Sequence, residues 1–397
     1  MTKKIYHLIT SSNEQLWKFD RPVVFLGEWC RQNERKHIWK NMDAKVAKPY
    51  GLGVLKKDSD YFEVEKLKKK IFTNFYDILN QYHGINCSER FWQIILGHWF
   101  NLFVNLIFKR VNTLKLCLNS YNISGITCYT CDRYTLATRD YIDANSALDD
   151  LRWNDLLTTK ILNLFDLDKF HLEFYNEKYE LKDFPGFSTC NRKNNYPVKT
   201  KILQLCQKIF NLISNRFVKK DDAFIISSYL PLREEIKLEV ALGQWPQMWR
   251  TLNFKTHKIP DQQLRKKLCQ KITEKTEDDL ENICNLLLFE LLPVCYLEGF
   301  ADLNKIIKKL PWPESPKFIF TSNNFQTDEI FKLWSASKVE RGTKYFIGQH
   351  GNNYFTKKYI SPTIEEKTAD KPKTSEEKLE ASKAETKKEE IKKDTPE

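Results

Sequence analysis

Glu28 and His350 are the two side chains whose surroundings suggest proton chemistry. Glu28 stands between Gly27 and Trp29, directly after the short apolar run 22–26. A carboxylate beside a bulky indole loses water, its pKa rises, and it becomes a base for a sugar hydroxyl. Arg31 and Arg35 offer the other outcome, an ion pair that only holds the loop. His350 stands in Gly348-Gln349-His350-Gly351. An imidazole there can orient a diphosphate or serve as acid and base; a hinge hydrogen bond to backbone is the alternative. Ser322 and Asn323 precede a helix capped by Thr327 or Asp328. They can offer free N–H groups to an anion or simply make a turn. Glu28 and His350 are therefore the catalytic candidates, with Gly27, Trp29, Ser322, Asn323, Gln349 and Gly351 as substrate contacts.

These residues need a scaffold, and the apolar pattern points to α/β. Short buried-type runs predict strands at 5–9, 22–26, 223–227, 317–321 and 343–347. Helical spacing marks 61–82, 88–111 with Ser88 as N-cap, 155–167, 199–217, 232–242 and 274–310. Residues 317–347 form one βαβ unit, with Gly342 ending its helix. The fold class expected is α/β, a Rossmann-like parallel sheet with a large helical content and helical insertions over about 40–220. Residues 168–200 read as a loop-rich insertion. Ligands of such sheets bind beyond the carboxyl ends of the strands. Glu28, Ser322 and His350 are accordingly expected at one common rim. Trp92 and Trp99, spaced with Ile94, Ile95 and Leu102, read as core, with sugar stacking as the alternative. Glu298, beside Gly299, reads as a capping or surface carboxylate, with a place facing the cleft as the alternative.

The chain carries a net charge of +12 over 397 residues. Residues 357–397 hold 11 lysines and 11 acidic residues, so the excess positive charge lies in 1–356. That balance suits nucleotide-sugar diphosphates, lipid phosphates, an anionic membrane face or nucleic acid. Residues 361–397 have almost no large apolar side chain and read as a disordered tail. Ten cysteines without framework spacing suit reduced thiols. The one Cys-x-x-Cys, Cys128 and Cys131, lacks further ligands at zinc spacing, so no metal site is expected. No signal peptide and no uninterrupted apolar span are visible, and a cytoplasmic protein with peripheral membrane contact is expected. Walker, G-x-G-x-x-G, H-E-x-x-H and nucleophile-elbow patterns are missing, which disfavours the enzymes built on them. No nucleic-acid partner and no cofactor are expected.

Six segments together carry a resemblance. They are Leu26-Gly27-Glu28-Trp29-Cys30, residues 89–99, Leu242-Gly243-Gln244-Trp245-Pro246, Tyr296-Leu297-Glu298-Gly299-Phe300, Phe320-Thr321-Ser322-Asn323 and residues 347–354. In this order the chain resembles a family of transferases encoded in O-antigen and other surface-polysaccharide loci, similar to GT-B glycosyltransferases. The resemblance adds Asn353 to the substrate contacts. It implies sugar transfer from a nucleotide-sugar to a saccharide or lipid-linked acceptor. Asn352 and Phe355 depart from the family's Gln-His-Gly-Gly-Asn-Tyr-Gly pattern. The expectation is an N-terminal, acceptor-side half of a GT-B architecture over 1–356, with the tail where a donor domain would follow. A partner chain would then supply the donor domain; a non-catalytic scaffold is the alternative reading.

Overall fold

Two parallel sheets, rather than one, organise the chain. The structure is a computed structural model and describes residues 4–130, 134–165, 170–175, 214–252, 254, 256–273 and 278–348. The chain divides into two units, Met1–Tyr359 and Ile360–Glu397, and every described residue belongs to the first. The expected tail lies outside the described residues.

The first sheet holds β1 (Tyr6–Ile9), β2 (Val23–Phe25), β3 (Ala44–Val46), β4 (Ile123–Tyr129) and β5 (His171–Tyr175). Their order is β3-β2-β1-β4-β5, and every pairing is parallel. β1 and β2 are buried at every position. Covered on both faces, they read in the sequence as unbroken apolar runs rather than alternating ones. His7 is the polar exception. Its Nε2 meets the Thr127 hydroxyl at 2.9 Å, and its ring lies over Gly125, where a Cβ would come within 2.9 Å of Nδ1.

The second sheet holds β6 (Phe224–Ile226), β7 (Phe318–Thr321) and β8 (Lys344–Ile347), in the order β6-β7-β8 and again parallel. This corrects the expectation of one continuous sheet. Each strand's apolar run is the same kind of run, and pairing partners as far apart as Tyr6 and Ile123 leave no mark in it. The region 40–220, expected to be helical insertion, contributes β3, β4 and β5.

Helices cover the sheets. α1 (Lys36–Trp39) precedes β3, while α2 (Val54–His83) and α3 (Glu89–Ser120) lie between β3 and β4. Ser88 caps α3, accepting from the Phe91 N–H at 3.2 Å. α3 meets the length and composition of a membrane span, but 67% of its most apolar window is buried inside the fold. Trp92 and Trp99 are part of that buried face, as expected. α4 (Tyr141–Ala147) and α5 (Leu151–Leu162) follow β4. After β6 come α6 (Leu232–Ala241), α7 (Gln262–Thr273), α8 (Asp279–Leu291) and α9 (Phe300–Ile307). The short α10 (Asn324–Thr327) and α11 (Glu329–Val339) join β7 to β8. Asp328 caps α11, accepting from Phe331, and Gly342 follows it at φ +96°, a left-handed position that favours glycine.

A buried polar network ties α11 to the rest. The Lys332 ammonium is 1% exposed and donates to the Tyr296 hydroxyl at 2.8 Å and to Glu329 at 2.9 Å. Tyr296 in turn donates to Glu329 at 2.9 Å. Arg265, fully buried, forks onto Glu298 at 2.7 and 2.8 Å and donates to the carbonyls of Phe289 and Leu292. Glu298, expected at the surface or a cap, is instead the counter-charge of a buried guanidinium.

Candidate functional site

Past the carboxyl ends of β1 and β2, four elements, β1, β2, α3 and α5, bring Ser11, Gly27, Trp29, Arg110 and Asp155 together. β1 delivers Ser11, whose side chain is fixed on both sides. Its oxygen accepts from the Asn13 N–H at 3.0 Å, and its hydroxyl donates to the Asp155 carboxylate. Trp17 holds the backbone in place, its indole N–H reaching the Ser11 carbonyl at 3.0 Å. Asp155 comes from α5, a helix whose start is fixed by Asp150 accepting from Trp153 at 2.7 Å. Its neighbours Leu156, Leu157 and Ile161 are core, so the helix carries a carboxyl into the interior.

Burial is the largest influence on Asp155 and pushes its pKa up to about 7. The Ser11 hydrogen bond and the Arg110 charge pull the other way without overcoming it. A carboxyl poised near neutrality, at the open end of a parallel sheet, can take a proton from a hydroxyl and later release it. Cys30 lies in the same neighbourhood, but burial pushes its thiol up to about 12, so it is not a nucleophile.

Arg110 arrives from the C-terminal half of α3. It donates to the Asn154 side-chain oxygen at 2.5 Å, and its guanidinium sits over the Trp29 ring at 5.7 Å. Trp29 itself is 43% exposed and folds back over Gly27. A Cβ on Gly27 would lie 2.0 Å from the ring, so only glycine leaves room for it. The Gly27 backbone is extended, at φ −171°, and the requirement is one of space.

Glu28 is next to this cluster but does not behave as the sequence suggested. Its side chain is 71% exposed and forks onto Arg31 at 2.7 and 2.8 Å. The guanidinium bond holds its carboxyl below the usual range, opposite to the rise expected from burial beside Trp29. The indole turns toward Gly27 and Arg110, so it does not dry the Glu28 carboxylate. The ion pair with Arg31 is the alternative the sequence had offered.

A second rim lies at the carboxyl ends of β6, β7 and β8. Ser227 and Tyr229 take left-handed backbone, at φ 49° and 61°. For residues with a side chain this costs roughly 1 kcal/mol each. Ser322 is buried. Its N–H donates to the Ser227 carbonyl at 3.1 Å and its hydroxyl to the Ser228 carbonyl at 3.3 Å. Ser228 donates to Glu235 of α6. Gly348 closes on the same point, where a Cβ would come within 2.4 Å of the Ser322 oxygen. The N–H groups expected to be free for an anion are not. Those of Asn323 and Asn324 donate to the Thr321 hydroxyl at 3.3 and 3.1 Å, and that of Ser322 is taken by Ser227.

The structure thus brings Ser322 and Gly348 together, and Gly27 and Trp29 together. It places Glu28 and Ser322 after strands of different sheets, so the single rim shared by Glu28, Ser322 and His350 is replaced by two. Gln349, His350, Gly351 and Asn353 lie outside the described residues. Among the described residues no group of three or more His, Cys, Asp or Glu side chains is placed to hold a metal ion.

Sequence reasoning missed Ser11, Arg110 and Asp155. One signal was available: Asp155 sits among Trp153, Leu156 and Leu157, and a carboxylate amid core side chains is seldom there for packing. Nothing in the sequence marked Ser11 or Arg110.

The fold is of the α/β class, built on Rossmann-like parallel sheets that carry polar residues at their carboxyl ends. Within that class the chain belongs to the LIC12162 family transferase group, whose family model matches residues 6–372. No curated protein and no solved structure matches the chain.

Proposed function

We propose that this transferase moves a sugar from a nucleotide-sugar to a hydroxyl of a saccharide or lipid-linked acceptor in surface-polysaccharide assembly. The observation that carries this reading is Asp155, a buried carboxyl poised near neutrality at the open end of a parallel sheet. In the ionised form it takes the acceptor's hydroxyl proton. The acceptor oxygen bonds to the anomeric carbon, the bond from that carbon to the phosphate oxygen breaks, and the nucleoside diphosphate leaves with the electron pair. Trp29, exposed at the entrance, gives the acceptor ring an apolar face to lie on. Glu28, ionised and exposed, suits a hydrogen bond to a sugar hydroxyl better than proton abstraction. We assign the donor side to the second sheet's rim, where Ser322 and Gly348 meet, and assign Gln349, His350, Gly351 and Asn353, which follow Gly348 in the sequence, to donor contacts on the family resemblance alone. A lipid-linked acceptor would bring the chain to the cytoplasmic face of a membrane.

The test is transfer from radiolabelled nucleotide-sugars to lipid extracts of the source cells, with the wild-type chain, Asp155→Asn and Glu28→Gln. Loss of transfer in Asp155→Asn alone supports the reading. Undiminished cellular glycan with Asp155→Asn and with His350→Ala would leave the scaffold reading in its place.

A further inference from the structure

Five of the described arginines pair with carboxylates within 4 Å. Arg21 bonds Asp20, Arg31 bonds Glu28, Arg35 bonds Glu14, Arg139 bonds Asp143 and the buried Arg265 bonds Glu298. Arg110 breaks the pattern. Its one hydrogen bond goes to the neutral side-chain amide of Asn154, and its broad face is covered by Trp29. The nearby Asp155 carboxylate accepts from the Ser11 hydroxyl and makes no ion pair with Arg110 within 4 Å. Burial draws the Arg110 pKa below its ordinary value, with Asp155 only partly opposing the shift.

Arg110 is half-buried, and a guanidinium drawn partly out of water with no carboxylate in bonding range is incompletely compensated. Such a cost is tolerated where a ligand supplies the missing charge. The remaining N–H groups of Arg110 have a planar fork suited to the oxygens of a phosphate. Trp29 keeps water off one face, which strengthens that contact.

We infer that Arg110 is the anchor for a phosphate group of the substrate, seated between Trp29 and Asp155 at the end of the first sheet. The inference rests on the reading of this rim as the transferase site, and it names the substrate class: the molecule bound there is phosphorylated.

The experiment is calorimetric titration of the full chain with inorganic pyrophosphate, farnesyl phosphate and uncharged farnesol, alongside tryptophan fluorescence. The wild type is expected to bind at least one phosphorylated probe with a change in emission that Trp29→Phe abolishes. Arg110→Gln should weaken that binding about tenfold or more. Arg110→Lys, which keeps the cation, provides the folded comparison and should fall between. Pyrophosphate as tight as farnesyl phosphate points to a donor diphosphate. Farnesyl phosphate much tighter than pyrophosphate, with farnesol silent, points to a lipid phosphate. Equal binding by wild type and Arg110→Gln, or no binding of either phosphorylated probe by the wild type, overturns the inference. Asp155→Asn separates the two readings: it should retain phosphate binding while losing transfer. If it binds phosphate and transfers normally, the base assignment fails and the phosphate anchor stands.

Discussion

Ser11 and Asp155 lie 144 positions apart in the chain, yet the Ser11 hydroxyl donates to the Asp155 carboxylate just beyond the end of β1. That contact joins the first strand to α5 at the point where a substrate hydroxyl would be activated. Asp155→Asn should lower transfer by about 10²–10⁴-fold, the usual worth of a positioned base. In the wild type the rate should rise with pH and level off above about 7, where Asp155 is ionised. A pH–rate profile of wild type and mutant checks this, and an unchanged rising limb in the mutant would assign it to another group.

Stability should carry the same signature. Asp155 has a folded pKa near 7 against an ordinary 3.8, so the folded state holds its proton more tightly. Its contribution is fully present below about 3.8 and is lost as pH rises toward 7. His7, His83 and His98, each held near 4 by burial, run the other way and lose stability as pH falls from 6.5 toward 4. Comparing Asp155→Asn with wild type subtracts the histidines. Relative to wild type, the mutant should gain stability between pH 4 and 8 in urea titrations.

The Lys332–Glu329–Tyr296 network is predicted to be fragile when halved. Lys332→Met leaves a buried carboxylate without its cation and should cost about 3–5 kcal/mol. Adding Glu329→Leu should recover much of that loss. Thermal melts of the single and double mutants decide it; additive losses would mean the pair is not coupled.

Gly27→Ala probes the seat of Trp29. The new methyl overlaps the indole, so the ring must swing away from Arg110. A destabilisation of about 1–3 kcal/mol and a red-shifted Trp29 emission are expected. An unchanged spectrum would show that the ring is not confined there.

Glu28→Gln should be mild by comparison. It removes an exposed ion pair with Arg31, worth less than about 1 kcal/mol. Transfer should stay within a few-fold of wild type, measured in the same assay as Asp155→Asn.

Much of the scaffold was legible because it rests on local signals. The apolar runs at β1, β2, β6, β7 and β8, the Ser88 and Asp328 caps and Gly342 all mark their elements in a few residues. β5 and α7 carry weaker marks: β5 is only half-buried, and α7 is mostly polar, burying only Arg265, Leu268 and Ile272. The partition into two sheets depends on which strands pair, and pairing is decided by packing across the whole fold. The site was less legible for the same reason. Trp29 and Gly27 were found because they follow a strand, but their meaning changed when the indole turned to Arg110. That turn left Glu28 in water beside Arg31, and the buried carboxyl came from a helix instead.

α3 runs for 32 residues, about 48 Å at the usual helical rise. Near its first turn, Ser88 is fastened to Glu340 at 2.6 Å, just after α11; beyond its last, the Tyr121 hydroxyl reaches the Val46 carbonyl of β3 at 3.3 Å. Arg110 rides on this girder some six turns from the Ser88 end, at 3.6 residues per turn, or roughly 33 Å. Any tilt of the helix layer over the second sheet therefore acts through a long lever on the guanidinium at the first. The two halves of the fold share one mechanical axis.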